Sequence, residues 1–238
     1  VFAHPRRPDD RPLAVRFGLM RAVVPPWSKY GLPPAEKTLA ELLAPAGYAR
    51  RGRLRQVAPR PRPPRVPAPR SRASPASSAT TTAPSIISPT NATARSDWHH
   101  DDRSVREEGY ATDLLADHAA RFIRESPAGQ PWLIYLPFNA PHSPVPGQAR
   151  RPRPKYPQLE GDRRTYAAMV DAMDQAIGRV LAAVEARPDA ANTLVLFCSD
   201  NGGIPRVGSS NAPWRGAKLT VYEGGTRVAP QSAGPPAA

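Results

Sequence analysis

Thr193-Leu194-Val195-Leu196-Phe197-Cys198-Ser199-Asp200-Asn201-Gly202-Gly203 joins an apolar run to a cluster of turn-forming residues. The run from Leu194 to Cys198 is continuously apolar, as a strand buried on both faces of a parallel sheet requires. The residues after it are turn formers, so the chain leaves the sheet at that strand's carboxyl end. Upstream, residues 162–186 set Tyr166, Met169, Val170, Met173, Ile177, Val180, Leu181 and Val184 on one stripe at helical spacing. Asp171, Asp174 and Arg179 fall on the other side, which is the pattern of a half-buried helix. Before that helix, Trp132-Leu133-Ile134-Tyr135-Leu136-Pro137-Phe138 reads as a second buried strand. Strand, helix, strand predicts a right-handed crossover and a parallel sheet, hence an α/β fold.

Thr112 reads as an N-cap for a helix carrying Leu114, Leu115, Ala119, Phe122 and Ile123 and running to Pro127. Thr38-Leu39-Ala40-Glu41-Leu42-Leu43 suits a short amphipathic helix stopped by Pro45 and Gly47. Elsewhere the composition departs from that of a globular domain. The chain has 238 residues, 32 prolines and a formal net charge of +13. The basicity is local. Residues 51–96 hold nine arginines and no acid, and bury too little apolar surface to offset the entropy of ordering. This gives five segments: 1–16, Arg/Pro-rich; 17–50, with one helix; 51–96, expected disordered; 97–228, the α/β core; and 229–238, a disordered tail.

Composition excludes several classes. One cysteine, Cys198, cannot make an internal disulfide framework. No run approaches the roughly 20 apolar residues of a membrane helix. Nucleic acid is disfavoured as a partner because the basic segment lacks interleaved aromatic residues for base stacking. The sequence does not begin with methionine and reads as a fragment.

Three sites carry candidate chemistry. Asp200 and Asn201 stand where ligands bind in open α/β sheets, and a carboxylate and an amide carbonyl are oxygen donors suited to a hard cation. Taken alone, the tetrapeptide is better read as an Asn-Gly turn. His142, in Asn139-Ala140-Pro141-His142-Ser143-Pro144, follows the first strand and so belongs to the same sheet edge. There it could hydrogen-bond an anionic ester or protonate a leaving oxygen, although an isolated loop histidine is more often a bystander. Lys218, in Asn211-Ala212-Pro213-Trp214-Arg215-Gly216-Ala217-Lys218, could neutralise an anion or simply be a solvated loop lysine.

The order of these pieces resembles the sulfatase family. The resemblance runs from Ser104 to Val228 through Ala-Pro-His, the Tyr166-Ala-Ala-Met-Val helix, Ser-Asp-Asn-Gly-Gly, Arg-Gly-x-Lys and Tyr-Glu-Gly-Gly-x-Arg-Val. It extends more weakly over residues 17–49. It implies an alkaline-phosphatase-like α/β parallel-sheet sandwich, here incomplete and interrupted by disordered Arg/Pro-rich segments. It further implies an arylsulfatase-type sulfuric ester hydrolase acting on a sulfate-ester small molecule or a sulfated glycan. Carried over, Asp200 and Asn201 would ligate Ca2+, and His142 and Lys218 would contact the sulfate. Such proteins are mostly exported or lysosomal.

The family's nucleophile is a formylglycine made from the cysteine of Cys-x-Pro-x-Arg, and neither that motif nor Gly-Lys-Trp-His appears in the sequence. Back-translation offers a reason. With suitable codons, residues 1–12 read from the second nucleotide give Cys-Ser-Pro-Thr-Arg-Ala-Ala-Leu-Met-Thr-Gly-Arg, and residues 55–61 read one nucleotide on give Gly-Lys-Trp-His-Leu-Gly. Residues 79–93, read from the third nucleotide, can give a further arylsulfatase-like segment. The expectation is a gene with frame displacements, encoding a chain without sulfatase activity. Two other readings stay open: an anion- or nucleic-acid-binding protein using residues 51–95, and a non-catalytic sulfatase-like scaffold.

Overall fold

The computed structural model describes residues 37–48, 107, 109–142, 156–228 and 230–235, together with the backbone of strand residues 50–56, 80–83, 99–100 and 103–104. The expectations for residues 1–16 and for most of 51–96 lie outside them. The chain divides into two compact units, Val1–Glu108 with Glu125–Pro137, and Gly109–Arg124 with Phe138–Ala238.

In the first unit, α1 (Leu39–Leu43) starts at Thr38 because a capping box satisfies its first amides. The Thr38 N–H donates to Glu41 Oε2 at 2.7 Å, and the Glu41 N–H donates to Thr38 Oγ1 at 3.3 Å. The helix stops within two turns, before Pro45. Five strands follow: β1 (Arg50–Gln56), β2 (Thr80–Ala83), β3 (His99–His100), β4 (Arg103–Ser104) and β5 (Trp132–Tyr135), in sheet order β4-β3-β2-β1-β5. The β1 strand is parallel to both β2 and β5, with Arg50 opposite Trp132 and Arg53 opposite both Tyr135 and Thr80. Composition argued against order in residues 51–96, yet β1 and β2 form there. A strand held on both edges has its backbone groups paired whatever its side chains are, and Thr80-Thr81-Thr82 is β-branched. The β5 strand is shorter than the apolar run suggested and lies at the sheet edge. Tyr135 is exposed.

The second unit is built on α2 (Ala111–Glu125) and α3 (Gly161–Glu185). The α2 helix begins one residue before Thr112, because the Tyr110 carbonyl already accepts the N–H groups of Asp113 (2.9 Å) and Leu114 (3.0 Å). Thr112 is therefore a buried helix residue and not the cap. Leu115, Ala116, Ala119, Phe122 and Ile123 make α2 the most deeply buried element described. Burying each of its larger side chains contributes roughly 1.5–3 kcal/mol. On α3 the deepest residues are Met169, Ala172, Ala176, Ala183 and Val184, while Tyr166, Val170, Met173, Ile177, Val180 and Leu181 are half-buried. A short alanine side chain sinks entirely where a longer one straddles the edge of the stripe. Arg179 does not face away into solvent. It bonds to Asp113 (2.9 Å) and Asp117 (3.3 Å) on α2.

After a 3-10 turn at Ala190–Asn192 come β6 (Val195–Phe197), a 3-10 turn at Pro205–Val207, α4 (Glu223–Thr226) and β7 (Gln231–Ala233). The β6 strand pairs antiparallel with β7, Val195 opposite Ala233, in a sheet separate from that of β5. The expected parallel sheet therefore exists, but β1, β2 and β5 form it and β6 does not. Nor is residue range 229–238 wholly an unstructured tail, since β7 supplies the partner edge for β6. The apolar side chains of Leu194, Leu196 and Phe197 remain exposed.

Candidate active site

The β6 strand delivers the chain into a bend at Asp200 and Asn201. Asn201 Nδ2 donates to Asp200 Oδ1, and Ser199 Oγ donates to the Asn201 carbonyl at 2.8 Å. The two candidate cation ligands thus sit side by side on a braced turn, Asp200 exposed and Asn201 half-buried. Calcium takes 6–8 oxygen ligands. This pair is right in kind and supplies only part of that shell, and no group of three His, Cys, Asp or Glu gathers to complete it among the described residues.

Beyond Asn201 the peptide backbone of three segments meets almost without side chains. The Gly202 N–H donates to the Gly225 carbonyl (3.0 Å), the Lys218 N–H to the Gly203 carbonyl (3.2 Å), and the Gly224 N–H to the Arg215 carbonyl (2.8 Å). Only glycine permits this approach. A Cβ on Gly202 would lie 1.8 Å from the Gly224 oxygen, and one on Gly224 would lie 2.3 Å from the Gly216 oxygen. Asn211 locks the junction. Its Oδ1 accepts the Gly203 N–H at 2.8 Å, and its Nδ2 donates to the Gly203 carbonyl at 2.9 Å and the Gly216 carbonyl at 3.4 Å.

Lys218 is therefore carried on a loop bonded directly to the Asp200–Asn201 turn. Around it, Arg215 lies 4.1 Å from the Tyr222 ring centroid and donates to Tyr222 Oη at 3.0 Å. Arg227 lies 4.1 Å from the Trp214 ring and bonds to Glu223 at 3.1 Å. Both arginines are held by aromatic rings, and Lys218 lies between them in the sequence.

His142 belongs to the same unit, in a turn closed by its N–H donating to the Asn139 carbonyl at 2.8 Å. Its side chain is exposed. The bonds joining the Asp200 and Lys218 loops run through glycines and Asn211 and do not pass through His142. The expectation that one sheet edge collects His142 and Asp200 assumed that β5 and β6 share a sheet, and they do not. Sequence reasoning assigned no role to Asn211, Gly224 or Gly225. Their signal was present as three glycine-rich motifs in one short stretch, but local text does not state which backbones meet.

A family model described as Sulfatase matches residues 19–229. The chain belongs to the sulfatase family. It is 33% identical over 119 residues to Arylsulfatase J of Mus musculus, covering 50% of this chain and 20% of that protein. It is 39% identical over 132 residues to a Sulfatase of Formosa agariphila, covering 50% and 24%. Among solved structures, it is similar to Ps i-CgsB in complex with k-i-k-neocarrahexaose, with a TM-score of 0.53 and 33% identity over 58% of this chain and 31% of that one. The sulfatase chain thus spans about a fifth to a quarter of the length of those two curated relatives. Its fold is the alkaline-phosphatase-like α/β fold, present as an incomplete domain.

Proposed function

We propose that this chain carries the calcium- and sulfate-binding part of an arylsulfatase-like sulfuric ester hydrolase and, as written, binds without turning over. One observation carries the reading: a carboxylate–carboxamide pair, Asp200 and Asn201, and the ammonium-bearing Lys218 lie on loops joined through the Gly203 carbonyl. Hard oxygen donors on one loop and a cationic residue on the loop bonded to it are the parts from which a cradle for a divalent cation and the anion it attracts is built.

Asp200 and Asn201 would hold the calcium, which when bound polarises a sulfate oxygen and offsets charge as the ester bond breaks. Lys218 would neutralise a second sulfate oxygen. His142 would hydrogen-bond the ester or return a proton to the departing alcohol oxygen, a role suited to an imidazole near neutral pH. No Cys-x-Pro-x-Arg occurs in residues 1–238. Cys198 is followed by Ser199-Asp200-Asn201 and so does not stand in Cys-x-Pro-x-Arg. The substrate class is a sulfate ester, on an aryl alcohol or a sulfated glycan.

Calorimetric titration with calcium, then with inorganic sulfate and 4-nitrophenyl sulfate, tests the reading. Binding of both is expected, with no release of nitrophenol. Asp200→Ala should lower calcium affinity at least tenfold and shrink the rise in melting temperature that a fixed calcium concentration produces. A wild-type chain that ignores calcium refutes the site. Calcium-dependent turnover lost in Asp200→Ala refutes the inactivity.

A further inference from the structure

We infer that Asn211 is a positioning residue that couples the two halves of this site, so that a cation at Asp200 and Asn201 and a sulfate at Lys218 bind with positive cooperativity. The inference rests on the reading above for its ligands, but not for its geometry. Asn211 pairs with Gly203 as one peptide pairs with another, accepting from its N–H at 2.8 Å and donating to its carbonyl at 2.9 Å. The same Nδ2 reaches the Gly216 carbonyl at 3.4 Å. That carbonyl lies two residues before Lys218, and Gly203 lies two residues after Asn201. The Gly203 carbonyl also accepts the Lys218 N–H. One carboxamide thereby fixes the peptide that follows the cation ligands and the turn that precedes the anion ligand.

Gly203 has no side chain of its own to brace the turn. A Cβ there would meet Ser209 Oγ at 2.3 Å, so the position must be glycine and the bracing must come from outside. Gly216 has φ +91°, a conformation that glycine adopts without cost and other residues do not. Two segments free to choose many conformations are thus held by this side chain together with the Lys218 N–H bond to the Gly203 carbonyl. A ligand that orders one loop has, through this clamp, already ordered the other, and the second ligand pays less conformational entropy on binding. Coupling of this kind is reciprocal and typically amounts to about 5–150-fold in affinity.

Amide hydrogen exchange and calorimetry on the full chain, for the wild type, Asn211→Ala and Asn211→Asp, test this. Asp is nearly isosteric, keeps the acceptor for the Gly203 N–H and cannot donate to the two carbonyls, so it decides the matter should the alanine variant fail to fold. In both variants exchange at Gly203 and Lys218 is expected to quicken at least tenfold, with the α2 and α3 amides unchanged. In the wild type, saturating inorganic sulfate is expected to tighten calcium binding about fivefold or more. In either variant that ratio falls to near one. The ratio is the readout, because the added carboxylate of Asp can itself alter calcium affinity.

Wild-type exchange at Lys218 in Asn211→Asp overturns the clamp. Calcium and sulfate that bind the wild type independently overturn the coupling and leave the site reading standing. A wild type that binds neither ligand overturns the site reading and the coupling with it.

Discussion

Gly202→Ala is expected to break open the loop junction while the two long helices stay folded. A Cβ at that position lies 1.8 Å from the Gly224 oxygen, 2.8 Å from the Gly224 carbonyl carbon and 3.0 Å from Gly225 Cα. All three obstacles are backbone, so no rotamer change relieves them. The α4 segment cannot retreat without losing the Gly202–Gly225 and Gly224–Arg215 hydrogen bonds. The lost bonds and the strain together should cost about 4 kcal/mol, at the upper end for a single substitution. Gly178→Ala supplies the control. It lies within α3, and an added methyl meets nothing within 4 Å. There alanine should stabilise by about 0.5–1 kcal/mol, because glycine in a helix loses more backbone entropy on folding. The same chemical change thus has opposite signs at the two sites. Urea titrations followed by far-ultraviolet circular dichroism and by the fluorescence of Trp214, with Trp27, Trp98 and Trp132 replaced by Phe in every chain compared, separate the helices from the loops. A Gly202→Ala chain whose Trp214 environment melts as in the wild type would refute the backbone junction.

What was legible in the sequence was whatever a single segment decides for itself. Thr38-Leu39-Ala40-Glu41-Leu42-Leu43 reads as a short amphipathic helix, and α1 spans Leu39–Leu43. The helix read over residues 162–186 puts α3 within one residue of its observed ends. Thr112 is the instructive failure at this level: threonine is a good cap, but the neighbouring Tyr110 carbonyl closes the first turn and the helix absorbs Thr112. Pairing partners were not legible. The apolar run ending at Cys198 reads as a strand, and β6 is one, yet nothing in Leu194 to Phe197 announces β7 as its partner or separates it from the sheet of β5. The β1 strand was hidden for a different reason. Its arginines resemble the Arg/Pro-rich text after it, and composition averaged over residues 51–96 erases a short strand. In the site, Asp200, Asn201 and Lys218 were legible as residue types in order, while the Asn211 clamp appears only once Gly203 and Gly216 are brought together in space.

Replacing Arg187 with Met should destabilise the second unit by about 2–3 kcal/mol at neutral pH, and that loss should shrink as the solution is acidified. Arg187 Nε and Nη2 grip the two oxygens of Asp189 at 2.6 and 2.7 Å, and Nη1 donates to the Ile123 carbonyl at 2.8 Å. The guanidinium thus ties the end of α3 to the last turn of α2, with its side chain only 7% exposed and that of Asp189 30% exposed. Methionine fills similar space and donates nothing, leaving a carboxylate and a carbonyl without this partner. A fully buried pair broken this way costs about 3–5 kcal/mol, and water reaching Asp189 reduces that figure. Lysine keeps the charge but loses the two-pronged geometry, and should fall between. The pH dependence comes from Asp189. Its carboxyl is held below the usual value first by the hydrogen bond from Arg187 and then by that residue's charge, against the opposing effect of burial. A carboxylate whose folded pKa is depressed contributes its stability above the unfolded pKa of about 3.9, and loses it as pH falls through the folded value. Arg187 is itself raised above an already high value and adds no slope in the accessible range. Denaturant midpoints of the wild type and Arg187→Met should therefore differ by a constant amount from neutral pH down to about pH 5 and converge below about pH 4. A gap that widens on acidification would show that Asp189 is not the group held by this fork.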